Sequence, residues 1–105
     1  MQIVVSCYRG KASLTKYLDS MESNEGRAIR LVLNNHEFIC LGIRKKAFDE
    51  KLYKFMECSN FLKIWEAAAE IIQEIRVREN KYTYFQEFEW LAKKWKKQPL
   101  KQINK

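Results

Sequence analysis

The chain has 105 residues, 47% of them apolar and 14 of them Phe, Trp or Tyr, which suits one domain with one packed core. Three glycines and one proline argue against a turn-rich all-β fold and against a disordered chain. The net charge is +7, yet residues 1–92 hold 14 Lys and Arg and all 13 Asp and Glu, so the excess belongs to the C-terminal end rather than to a domain face.

Residues 1–8 read either as a short extended segment through Ile3, Val4 and Val5 or as the start of a helix, with Gly10 as a break. That apolar run is too short for a signal-peptide core. No run in the chain approaches the roughly 20 apolar residues of a membrane span, so the expected location is the cytoplasm. Residues 13–22 predict a helix with Leu14, Tyr17, Leu18 and Met21 on one stripe, and residues 23–26 (Ser-Asn-Glu-Gly) predict a turn.

For residues 28–46 two readings compete. Ile29, Val32, Leu33, His36, Ile39, Cys40 and Ile43 follow the spacing of one helix face. A β-hairpin turning at Asn34 and Asn35 is the alternative. It needs alternation, which Leu31-Val32-Leu33 and Phe38-Ile39-Cys40-Leu41 lack unless both strands are fully buried. Residues 47–58 predict a short helix, with Asp49 as cap or first-turn acid and Leu52, Phe55 and Met56 as its buried side.

Residues 59–79 predict the longest and most central helix, capped by Ser59 or Asn60. Leu62, Trp65, Ala69 and Ile72 form one stripe, and Ile64, Ala68, Ile71 and Ile75 form its neighbour. An apolar arc that wide is buried on more than one side. After a break at 80–82, residues 82–97 predict a last helix with Phe85, Phe88, Leu91, Ala92 and Trp95 inward. Its acids come early and its lysines late, which suits the helix dipole, and Pro99 blocks continuation. The sum is an all-α fold, a compact bundle of four to five helices over residues 1–97, followed by a basic flexible tail at 98–105.

One ordered pattern runs through this stretch: Leu33-Asn34-x-x-Glu37, Gly42-Ile43-Arg44, Asp49-Glu50, Trp65, Ile72, Arg76, and Phe88-Glu89-x-Leu91-Ala92-x-x-Trp95. It resembles an uncharacterised domain family, a "domain of unknown function", of bacteria and their prophages. The resemblance covers residues 27–97. It implies a mostly helical fold and a prophage or mobile-element setting, with a role in phage–host conflict as the associated expectation. Members often carry an N-terminal membrane helix ahead of the domain, which this sequence lacks. The family supplies no chemistry.

The residues supply little chemistry either. Cys7, Cys40 and Cys58 are three thiols in no CxxC spacing, and with one histidine they offer no zinc pattern, so no metal or cofactor is expected. His36 and Cys40 lie one helical turn apart, but on an apolar stripe, where a thiol is inert. No phosphate-binding glycine loop occurs. Glu37 and Arg76 are expected to form a structural ion pair, because a carboxylate taken out of water needs a partner. The chain therefore reads as non-enzymatic.

Two binding readings remain. Tyr82, Tyr84 and Trp90 fall off the inward stripe of the last helix, and exposed Trp and Tyr favour interfaces. They suggest a protein partner, either another protein or a second copy. The alternative is non-specific nucleic-acid binding through Lys93, Lys94, Lys96, Lys97 and Lys101, where lysine neutralises phosphate and nearby rings stack on bases.

Overall fold

A computed structural model describes residues 24–100. The ambiguous segment 1–8, the helix predicted at 13–22 and the tail beyond Leu100, Lys101 included, lie outside the described residues. Three helices make up the described part: α1 (Asn24–Arg44), α2 (Glu50–Glu79) and α3 (Gln86–Lys97). No strand occurs among the described residues, so the hairpin reading of 28–46 is overturned. Asn24 to Gly26, expected in a turn, are helical, with Gly26 buried.

The described part thus holds three helices where four to five were expected for the whole chain. One difference is a fusion: residues 47–58 and 59–79 share the single helix α2. Asp49 caps it by accepting the Leu52 N–H at 3.1 Å. Ser59 and Asn60 sit exposed in mid-helix and cap nothing, because no Gly or Pro lies between Gly42 and Pro99 to interrupt the ladder. The fusion also fixes the phase of the first turns. At about 100° per residue, the buried arc of Phe61, Trp65, Ala68 and Ile72 continues back through Glu57, Tyr53 and Glu50. Leu52, Phe55 and Met56, expected inward, therefore face solvent at 57%, 64% and 66% exposure.

Both long helices end in the same way. After α1, Lys46 turns left-handed (φ 63°), the Lys46 N–H donates to Ile43 O at 3.0 Å and the Ala47 N–H to Gly42 O at 2.8 Å. After α2, Asn80 turns left-handed (φ 50°), with Asn80 N–H to Val77 O at 3.2 Å and Lys81 N–H to Arg76 O at 3.0 Å. These paired bonds are Schellman closures, which satisfy the last carbonyls of a helix and favour Gly or Asn at the turning residue. Gly42 has a second duty. A Cβ there would lie 2.3 Å from the Phe48 ring, so the ring rests directly on the α1 backbone.

The short link 45–49 makes α1 and α2 an antiparallel pair, tied near one end by Arg30 and Glu79 at 3.5 Å. α3 packs on both and runs against α2, from Arg76 at its start to Glu50 at its end. A ring cluster fills the junction. Phe61 meets Phe88 at 5.1 Å and Trp95 at 4.8 Å, Trp65 meets Phe88 at 5.1 Å, and His36 stacks on Phe88 at 5.0 Å. Phe88, Leu91, Ala92 and Trp95 are wholly buried, as expected of the last helix. Its start moves from 82 to Gln86, however, because residues 82–85 form turns.

A side chain held left-handed costs about 1–2 kcal/mol that glycine avoids. Lys46→Gly is expected to raise the melting temperature by roughly 4–8 °C. Phe85→Gly relieves a similar angle (φ 60°) but removes a buried ring, so it is expected to lower the melting temperature. Thermal melts of the two variants check both signs.

Candidate functional site

The polar chemistry of the domain converges on the first turn of α3. That helix has no cap of its own: its flanking residue is Phe85, left-handed, with its ring buried and no side-chain cap bond. Glu37, projecting from α1, takes the place of the cap. Its carboxylate accepts the Phe88 N–H at 2.8 Å and the Glu87 N–H at 3.2 Å. Those are the orphan donors that a capping Ser or Asp normally satisfies, and the carboxylate also meets the positive end of the helix dipole.

Arg76 holds the same corner from α2. Its Nε donates to Tyr84 O at 2.8 Å and its Nη1 lies 2.8 Å from Glu89 Oε1. Glu37 and Arg76, expected from sequence to pair, reach one helix start as two arms with partners of their own, and the Arg76 charge acts on Glu37 as well. A third arm comes from the end of α1, where Arg44 bonds the buried Glu87 carboxylate and lays its guanidinium 4.2 Å from the Trp90 ring centre. At the other end of α3, Glu50 accepts the Trp95 indole N–H at 3.1 Å and pairs with Lys94 at 2.9 Å.

Ionisation follows this geometry. Burial raises the Glu37 carboxyl above the ordinary carboxylate range, although the two backbone N–H groups pull the other way. Glu89 is held low by Lys93 and then by Arg76. Glu50 is raised by burial but more than compensated by Lys94 and Trp95 together, so it ends low. Burial drives the Cys40 thiol up, with the Glu37 and Glu87 charges adding to it, and pushes Tyr53 up to about 12. Burial lowers His36, whose Nδ1–H donates to Val32 O at 2.8 Å. A buried imidazole bonded to its own helix, beside a thiol that resists ionisation, is poorly placed for nucleophilic work. Among the described residues no group of three or more His, Cys, Asp or Glu converges as a metal-ligand set.

The candidate interface residues separate. Tyr82 is exposed at 64%. Tyr84 and Trp90 are partly buried against the core, Tyr84 beside Lys81 and Trp90 between Arg44 and Lys94. Of the candidate phosphate contacts, Lys93 pairs with Glu89 at 2.7 Å, Lys94 with Glu50, and Lys96 with Glu66. Lys97 is exposed.

What the sequence reading missed is an apolar surface on the outside. Leu31, Phe38 and Leu41 are exposed along the outer face of α1, Phe38 at 66%, and the Phe48 ring meets Phe38 edge-on at 5.8 Å. The signal was present in the sequence. Once Ile29, Val32, Leu33, His36, Cys40 and Ile43 are assigned inward, Leu31, Phe38 and Leu41 have only the opposite face left.

The profile of one family, described as Domain of unknown function (DUF4760), matches residues 7–95. The chain belongs to that family. No curated protein and no solved structure matches it. The charged residues that carried the resemblance have internal work: Glu37, Arg44 and Arg76 hold the start of α3, Glu50 holds its end, and Asp49 caps α2.

Removing the Glu37 carboxylate leaves two backbone N–H groups in a half-buried corner without their acceptor. Glu37→Ala is expected to cost about 1–3 kcal/mol, against about 0–1 for Glu66→Ala, which loses one exposed ion pair. Denaturant unfolding of both variants checks this, and equal small losses would sink the cross-helix cap. For His36, folding favours the neutral ring. Its contribution is therefore complete above the ordinary value of 6.5 and is lost as pH falls through the lowered folded value. Melts between pH 7 and pH 5 are expected to decline in the wild type and to decline less in His36→Phe, which keeps a ring beside Phe88.

Proposed function

We propose that this domain is a small non-enzymatic binding protein whose partner is another protein. The observation that carries this reading is the exposed apolar row of Leu31, Phe38, Leu41 and Phe48, with Leu52, Phe55 and Met56 exposed at the start of α2. Several large apolar side chains left exposed on one small domain, two of them in ring contact at Phe38 and Phe48, are the kind of surface that marks an interaction site. Tyr82 adds a further exposed ring at the opposite end of α2. Glu37, Arg44, Glu50, Arg76 and Glu87 are engaged in holding α3, which favours binding over catalysis as the role of the outer surface. The free, buried thiols Cys40 and Cys58 suit a reducing compartment such as the cytoplasm. The resemblance that introduced a prophage setting makes a host or phage protein a natural place to look.

Nucleic-acid binding through the lysine-rich end is the second reading. It draws on Lys97 and Lys101, since Lys93, Lys94 and Lys96 already face carboxylates.

Affinity capture from bacterial lysate, with and without nuclease treatment, separates the two. The full chain is compared with Phe38→Ser/Phe55→Ser and with Lys97→Glu/Lys101→Glu. All four positions lie on exposed or terminal sites, so circular dichroism should stay unchanged. The protein-binding reading expects specific capture that falls at least tenfold in the apolar variant and persists in the charge variant. Capture that disappears with nuclease or with the lysine changes overturns it.

A further inference from the structure

We infer that the corner where α1 turns into α2 is a docking site for an acidic amphipathic helix of the partner protein. This rests on the protein-binding reading and adds the partner's chemistry. At the corner, Ile43, Phe48, Lys46 and Lys51 line an open groove of about 360 Å³ together with Asp49 and Glu50. Phe48 lies against the Gly42 backbone and edge-on to Phe38, so the apolar floor continues from the groove onto the outer face of α1. Leu31, Phe38 and Leu41 sit there at i, i+7 and i+10, a row of roughly 15 Å, or about three helical turns.

The charge around this floor is basic. Lys46 and Lys51 line the groove and are exposed, as is Lys45 next to Lys46 in the chain. Of the two acids, Glu50 is offset by Lys94 and bonded to the Trp95 indole, which leaves the Asp49 carboxylate, bonded only to the Leu52 N–H, against three lysines. An occupant that covers the apolar row and balances the rim needs apolar residues on one face and carboxylates beside them. A helix supplies both at i, i+3, i+4 and i+7 spacing. Strand addition has no template, because no strand edge exists among the described residues.

Two other occupants fit less well. A second copy docked through this same corner presents the same three lysines, so it brings no acidic excess to them. The chain's own residues 1–23 carry Arg9, Lys11 and Lys16 against Asp19 and Glu22, so they bring no acidic excess.

The test uses a display library of amphipathic helical peptides. Their apolar ridge is fixed as Leu and their flanking positions vary among Glu, Lys and Ser, and they are panned against the full chain. Glu is expected to be enriched at least tenfold over Lys at the flanking positions. Lys45→Glu/Lys46→Glu is expected to reverse that preference, and Phe38→Ser/Leu41→Ser to abolish capture. Winners that depend on Phe38 but ignore charge overturn the acidic-helix inference and leave the protein-binding reading standing. Failure to capture any peptide, alongside saturable binding to phosphatidylserine-containing vesicles, overturns both in favour of a lipid surface.

Discussion

The bond between Glu37 and the first turn of α3 is the constraint on which the rest of the domain depends. A helix of 12 residues is marginal by itself, because nucleation is costly and propagation over three turns does not repay it. α3 starts worse than most, behind a left-handed Phe85 whose ring is in the core and whose side chain has nothing to offer the orphan N–H groups. Glu37 satisfies two of them from another helix, so α3 acquires its cap only when α1 is alongside. Secondary and tertiary structure form together at this corner.

Arg76 and Arg44 extend the same logic. Each reaches α3 from a different helix and each meets a carboxylate on its first turn, Glu89 or Glu87. Buried or half-buried charges are expensive unless every lone pair and proton has a partner, and here the partners include a backbone carbonyl, backbone amides and the face of Trp90. The arrangement fixes the rotation and register of α3 while the ring cluster of Phe61, Trp65, Phe88 and Trp95 supplies the non-directional part of the packing. Phe85 tolerates its strained backbone because the ring below it and the arms around it over-determine the turn.

Much of this was legible in the sequence. Helical spacing of Ile29 to Ile43, of Ile64 to Ile75 and of Phe88 to Trp95 gave the three inward faces correctly, and Asp49 was readable as a cap. Glu37 and Arg76 stood out as a carboxylate and a guanidinium in need of partners. Their true partners were not legible, since a backbone N–H left over at a distant helix start has no sequence signature. The boundary errors share one cause. Ser59 and Asn60 look like caps only in isolation, and with no breaker after Gly42 the helix that Asp49 starts runs straight through them. Moving that start set the phase that turned Leu52, Phe55 and Met56 outward.

The proposed binding role rests on that outward turn rather than on any polar group. In a small domain the residues with the strongest chemistry are the natural suspects for activity, yet here Glu37, Arg44, Glu50, Arg76 and Glu87 are each engaged in holding α3. Changing any of them disturbs the fold before it disturbs a surface, so loss of function at these positions is uninformative about a site. The apolar row on α1 and the start of α2 is the reverse case. Its side chains contribute little to the core, cost solvation where they stand, and retain hydrophobic free energy to be gained on contact. Substitutions there separate binding from folding, which makes that surface the place where the two can be measured apart.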